Sequence, residues 1–235
     1  MSVNWVNKFS QHNEEKTLYR LFELLQLEKK TTTKNKLIAV DIGAGDGTYL
    51  SNTKFLTEPP YPHYEQWTRI MIDADSRGHS PPVFEIKLDR DNIIPALKEC
   101  KVPKDIDLVS LDIDGNDYWL WKTILESKEF NPPTVIITEL NSIFHPHESY
   151  TIQYNPHHSW QNDDYYGASY LAFDKLFKGY NYQFYKSTPC PETPVNGIWV
   201  QKDSTPLLFS QECDSVLPQR FIGHKHRGDA YWVPI

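Results

Sequence analysis

The chain has 235 residues, enough for one full domain or two small ones. Its 14 Tyr, 11 Phe and 7 Trp separate it from disordered chains, which lack the apolar surface needed to offset chain entropy. A formal charge of −7, from 24 Lys and Arg against 31 Asp and Glu, argues against a broad binding face for duplex nucleic acid or anionic membrane. No run approaches the ~18–20 apolar residues of a membrane-spanning helix. The start, Met1-Ser-Val-Asn-Trp-Val-Asn-Lys8, has no basic stretch leading into an apolar one, so a cytoplasmic location is the expectation. Three cysteines (Cys100, Cys190, Cys213), an odd number and far apart, argue against a disulfide framework or a thiolate zinc site.

Residues 14–29 place Leu18, Leu21, Phe22 and Leu25 at spacings of three, four and seven, one apolar helix face with Glu14 and Glu15 at its positive end. The polar stretch 31–36 closes this N-terminal helical extension, residues 1–36. Five short apolar runs follow, Leu37–Val40, Arg69–Ile72, Val83–Leu88, Ile106–Leu111 and Thr134–Thr138, each followed at once by an acid: Asp41, Asp73, Asp89, Asp112 and Glu139. Continuous rather than alternating runs suit strands buried on both faces. Helix patterns over Asn92–Cys100 and Tyr118–Leu125 lie between them, and strand–helix alternation implies an α/β fold with helices on both faces of a parallel sheet. Residues 141–166 hold four of the nine histidines and show no helix or strand period, which reads as a lid or binding loop. A helix pattern over Ala168–Phe177 with Gly179 in the stop position, then strands at Tyr182–Tyr185 and Gly197–Val200, complete the body over 37–205. The Pro-containing segment 187–196 between those strands is too long for a tight hairpin. The tail, 206–235, carries a helix pattern over 206–213 and is expected to pack on the domain.

The most informative segment is Leu37-Ile-Ala-Val-Asp-Ile-Gly-Ala-Gly-Asp-Gly-Thr48, a buried strand running into three alternating glycines and then a helix pattern. Glycine lets the backbone turn sharply and approach a ligand closely, and ligands of open α/β sheets sit at the carboxyl ends of strands. Gly43-x-Gly45-x-Gly47 is neither the dinucleotide fingerprint nor a Walker loop, and Asp41 and Asp46 put negative charge where a pyrophosphate would suffer from it. A cationic or neutral ligand fits better.

Asp41-Ile-Gly-Ala-Gly-Asp-Gly47 resembles the first motif of the class I S-adenosylmethionine (SAM) methyltransferases. Ile70-Met-Ile-Asp-Ala-Asp75 resembles their second strand, whose terminal acid, here Asp73, binds the ribose hydroxyls; Leu88–Ile93 resembles the loop near the adenine. Leu111-Asp-Ile-Asp-Gly-Asn-Asp117 is similar to the D-[VI]-[DE]-G-x-[DE] signature of the FkbM-like branch. The resemblance covers 37–140 well and 165–200 loosely. It implies a Rossmann-like, seven-stranded, mostly parallel sheet; SAM as cofactor, bound by Asp41, Gly43, Ala44, Gly45, Asp46, Gly47, Asp73, Ala74, Asp91, Asn92 and Asp112; and methyl transfer to an oxygen of a small-molecule or sugar-like acceptor. The chemistry agrees: carboxylates at strand ends can take the ribose hydroxyls and the ammonium of the amino-acid head. A noncatalytic SAM- or nucleoside-binding module serving a partner protein is the rival; an NAD-dependent oxidoreductase is disfavoured by the glycine spacing.

Asp112, Asp114 and Asp117 around Gly115, with Glu139 and Asn141 at the next strand end, come from neighbouring strands ~4.8 Å apart and can converge beside the donor methyl. Asp112, Asp114, Glu139 and Asn141 are the catalytic candidates, a crowded carboxylate serving as base. With His145 they also offer oxygen-rich chemistry suited to Mg²⁺, as in relatives resembling macrocin O-methyltransferase, although this chain does not match that metal pattern residue for residue. Asp114 and Asp117 have a plainer role available as caps of the helix starting near Asn116. His145, His147, His157 and His158 are candidate ligands or general bases, with polar loop surface as the plainer reading; Trp119 and Trp121 read as core, and Tyr150, Tyr154, Trp160, Tyr165 and Tyr166 as lining for a substrate mouth. His224–Arg227 reads as a solvated basic cluster.

Overall fold

The computed structural model describes residues 8–27, 36–75, 83–188, 195–204 and 232–235. In chain order its helices are α1 (Glu14–Leu25), α2 (Ile93–Glu99), α3 (Asp117–Glu126) and α4 (Tyr170–Lys178). Its strands are β1 (Leu37–Ile42), β2 (Trp67–Asp73), β3 (Phe84–Glu85), β4 (Leu108–Leu111), β5 (Val135–Leu140), β6 (Tyr150–Ile152), β7 (Tyr182–Ser187), β8 (Val195–Gln201) and β9 (Trp232–Pro234). The expected Rossmann-like sheet forms with seven strands in the order β3-β2-β1-β4-β5-β8-β7. β1 through β5 run parallel, and β8 runs antiparallel to both β5 and β7. The strand order reverses between β1 and β4, so a crevice opens beyond their carboxyl ends, where open sheets of this kind hold ligands.

Alternation along β1 sorts two cores. Val40 and Ile42 join Ile72, Val109, Leu111 and Ile136 under α2, α3 and α4; Leu37 and Ala39 face the other side with Leu108, Val135 and Ile137, covered by Leu18, Leu21, Phe22 and Leu25 of α1. The N-terminal helix is therefore a layer of the domain, packed on the sheet rather than appended to it.

The structure corrects several sequence expectations. No α-helix follows the glycine loop: two 3₁₀ turns, Lys54–Thr57 and Tyr64–Gln66, occupy that crossover, where Pro59, Pro60 and Pro62 deny a helix its amide donors. The strand expected over Val83–Leu88 pairs only at Phe84–Glu85. The segment 141–166 contains a strand, β6, which pairs with β9 near the chain end; Ile235 N–H donates to the Ser149 carbonyl. The helix pattern over 206–213 and the basic cluster at 224–227 lie outside the described residues. Among the described residues no helix is long and apolar enough to cross a membrane.

Candidate ligand cleft and acid cluster

A cavity of about 930 Å³ occupies the crevice beyond β1, β2, β4 and β5. One wall is the glycine loop. Gly43 has a φ of +83°, and a Cβ there would fall 1.5 Å from the Asp112 carbonyl oxygen, so the turn leaving β1 presses on the end of β4 and only glycine fits. Gly45 (φ +55°) donates its N–H to Asp73 Oδ2 at 2.7 Å, while Asp73 Oδ1 accepts from Asp75 N–H at 2.8 Å. The acid ending β2 thus fastens the loop and faces the cleft.

Asp41 has an internal job as well. Its Oδ2 accepts from Thr53 Oγ1 at 2.5 Å and Ser51 Oγ at 3.1 Å and lies 3.6 Å from the buried Arg69 guanidinium. Arg69 also donates to the Gly47 carbonyl at 2.9 Å, bracing the loop from beneath. Asp46 Oδ1 accepts from Thr48 and Tyr49 N–H, both at 2.7 Å, shaping the turn that carries the exposed Tyr49 and Leu50 to the rim.

The opposite wall is the loop from β4 to α3. Asp117, buried, accepts from Ile113 N–H at 2.9 Å and Gly115 N–H at 2.8 Å, organising the loop from below rather than capping α3. Asp114 adopts the left-handed region (φ +51°), uncommon outside glycine and typical of constrained sites. Carboxylate oxygens of Asp112, Asp114 and Glu139 all lie within 4.8 Å of one another. Burial first, then neighbouring carboxylates, pushes Asp112 and Glu139 well above the usual carboxylate range. Asp114 is raised by burial and by Asp73. Asp117 is raised to about 6 because burial outweighs its backbone hydrogen bonds from Ile113, Gly115 and its own amide. A carboxyl group with a raised proton affinity is suited to general-base work.

The third wall comes from the long loop. Asn116 Nδ2 donates to the Asn155 carbonyl at 2.8 Å and Gly167 N–H to the Gly115 carbonyl at 2.9 Å, which seats Pro156, His158, Ser159 and Trp160 over the cleft.

Of the residues singled out in the sequence, Asp41, Gly43, Ala44, Gly45, Asp46, Asp73, Ala74, Asp112, Asp114 and Glu139 line the cleft. Four others do not. Gly47 packs against Met71 of β2. Asn92 turns inward, Oδ1 accepting from Asp89 N–H and Nδ2 donating to the Lys87 carbonyl, and Asp91 is exposed beside it; Ile86, Lys87 and Leu88 face the cleft in their place. Asn141 is a buried tie whose Nδ2 donates to the carbonyls of Asp164 and Tyr166, both at 2.8 Å. Among the described residues the acids and histidines close enough to share a metal ion are Asp112, Asp114 and Glu139, without His145, while the Asn141 amide is engaged by its own backbone partners. His145 instead stacks on His147, ring centroids 5.5 Å apart.

Of the five aromatic residues read as a mouth, Trp160 alone lines the cleft. Tyr165 and Tyr166 are buried, Tyr150 stacks on Phe144, and Tyr154 carries the Arg90 guanidinium 3.6 Å above its ring. Trp121 is core as expected, whereas Trp119 is half-buried and donates its Nε1–H to the Ile152 carbonyl at 2.8 Å. Residues that the sequence did not mark also line the cleft, among them Gln11, Ser110 and Asn196, and so does His158. His158 was legible only as a loop histidine; its ring lies where a Gly115 Cβ would come within 2.4 Å of Cδ2.

No protein-family model matches the sequence, and no curated protein matches it. Solved structures similar to this chain include LepI in complex with SAM (10% identity, TM-score 0.40, covering 85% of this chain and 50% of that one). Another is the mitomycin 7-O-methyltransferase MmcR (14% identity, TM-score 0.35, covering 77% and 53%). A third is the ribosomal protein L11 methylase from Lactobacillus delbrueckii subsp. bulgaricus (11% identity, TM-score 0.34, covering 77% and 79%). The chain spans about half the length of the LepI and MmcR chains.

Proposed function

We propose that this chain binds S-adenosylmethionine and transfers its methyl group to an oxygen of a small-molecule or sugar-like acceptor. The observation that carries the reading is Asp73: it ends β2, holds Gly45 N–H, and shares the cleft at the β1–β4 switch with the glycine loop. Each carboxylate oxygen has lone-pair capacity beyond the one backbone donor it accepts, so Asp73 can also receive two ribose hydroxyls. The bare backbone at Gly43–Gly45 leaves room for the methionine portion, and the acids lining the cleft favour a sulfonium over a diphosphate.

SAM bound against Asp73 and the glycine loop would supply an electrophilic methyl group, with its sulfur taking up the electron pair of the C–S bond as the acceptor oxygen forms the new O–C bond. The acceptor's hydroxyl proton would pass to a carboxylate of the Asp112–Asp114–Glu139 cluster. The raised proton affinity of Glu139 and Asp112 suits them as bases, and the walls from the 112–117 and 156–160 segments position the acceptor. Isothermal calorimetry tests the cofactor assignment: SAM and S-adenosylhomocysteine are expected to bind in the micromolar range and NAD not at all. NAD binding without SAM binding would reverse the reading.

A further inference from the structure

The β4–β5–β8 end of the cleft is rich in hydrogen-bond acceptors. Asp112, Asp114 and Glu139 crowd their carboxylates within 4.8 Å, and among the described residues none of the three forms an ion pair with Lys or Arg. Lys87, the one Lys or Arg lining the cavity, follows β3, three strands from β4 in the sheet.

Asn196 adds an independent observation. It stands directly opposite Glu139 in the β5–β8 ladder, so the two side chains share a sheet face, and both line the cleft. It is 5% exposed. Its Nδ2 donates to Glu14 Oε1 at 3.0 Å, where Thr188 Oγ1 also donates at 3.1 Å, and the fully buried Glu14 does not line the cavity. Because the two ends of an amide diverge, this anchor leaves Oδ1 for a partner other than Glu14. That oxygen is buried and has no hydrogen-bond donor. Three carboxyl groups and a carbonyl oxygen thus stand at an end of the cleft where, among the described residues, no Lys or Arg lines the wall.

We propose that this end of the cleft takes an alkylammonium group, so that the acceptor is an amine-bearing small molecule. An ammonium brings one positive charge and three N–H donors, matching what the four side chains lack; a carboxylate or phosphate would be repelled, and a lone hydroxyl would leave most of the acceptors unmet. Tyr49, Leu50 and Trp160 at the mouth provide apolar surface for the rest of the molecule. A hydroxyl beside the anchored amine would supply the nucleophilic oxygen. Glu14 acts here as a positioning residue for Asn196. The inference deepens the methyl-transfer reading and depends on it only in assigning the glycine-loop end to the methyl donor.

Three probes of similar shape and different charge test it: benzylamine, benzyl alcohol and benzoate, each titrated calorimetrically into the protein alone and into the protein saturated with S-adenosylhomocysteine. Benzylamine is expected to bind about ten-fold or more tightly than benzyl alcohol, with no binding of benzoate. The preference should shrink as salt rises from about 50 mM to about 500 mM. Glu139→Gln should weaken benzylamine at least about ten-fold, and Asn196→Ala should weaken it with an intact unfolding transition as the fold control. Equal binding of benzyl alcohol, tighter binding of benzoate, or no binding of benzylamine overturns the proposal. So does saturable binding of magnesium chloride alone that disappears in Glu139→Gln, which would make the cluster a metal site. S-adenosylhomocysteine binding without benzylamine binding defeats the amine assignment alone; benzylamine binding without S-adenosylhomocysteine binding defeats only the methyl-donor reading.

Discussion

Glu139→Gln removes one negative charge from a cluster that opposes itself, and the unliganded protein should become more stable for it. Glu139 shares a 4.8 Å cluster with Asp112 and Asp114, and burial together with those charges raises its pKa well above the usual range. Two unit charges at that separation repel by about 3 kcal/mol at an effective dielectric near 20. Relaxation of the surrounding dipoles takes up part of this, so the expected gain at pH 8 is about 1–3 kcal/mol. The sign follows from linkage. A carboxyl whose folded pKa lies above its unfolded value favours the folded state most at low pH, and that contribution is lost as pH rises through the folded value. The wild type should lose stability between pH 5 and pH 8 relative to Glu139→Gln, and the gain from the substitution should nearly vanish at pH 5. Urea unfolding at both pH values measures it; in a chain of this length 1 kcal/mol corresponds to roughly 2–4 °C in melting temperature. Lower stability of the variant at pH 8, or an equal difference at both pH values, would refute the idea that these acids repel one another in the folded protein.

Three further outcomes follow from the cleft. Gly43→Ala puts a Cβ 1.5 Å from the Asp112 carbonyl oxygen at a positive φ, so the loop must shift; calorimetry should register loss of SAM binding. Asp73→Ala removes the acceptor for Gly45 N–H and for the ribose and should weaken SAM binding about ten-fold or more, with a cooperative unfolding transition retained. Arg69→Met leaves Asp41 buried with hydroxyl donors only and should lower stability by about 3–5 kcal/mol, read as a fall in the urea midpoint.

The strands were legible because parallel strands covered on both faces must be continuously apolar: Leu37–Val40 and Ile106–Leu111 announce β1 and β4 with no tertiary information. The glycine loop was legible because its backbone leaves glycine little competition, and Asp112, Asp114 and Glu139 because acids at adjacent parallel strand ends must lie close together. The first crossover was misread: loss of helix there depends on Pro59, Pro60 and Pro62, beyond the local pattern after Gly47. Asn141 looked catalytic by position, but its amide serves two carbonyls from residues more than twenty positions away. Asn196 shows the converse. Its place in the cleft depends on β8 running antiparallel beside β5 and on Glu14 arriving from the far end of the chain. Contacts of such long range leave no periodicity in a single sequence.

A crystal structure with S-adenosylhomocysteine tests the central claim most directly. The ribose hydroxyls should rest on Asp73, the homocysteine portion should run along Gly43 to Gly45, and the sulfur should point toward Asp112 and Glu139. Ordered S-adenosylhomocysteine bound elsewhere, or a cleft left empty at saturating concentration, would contradict it.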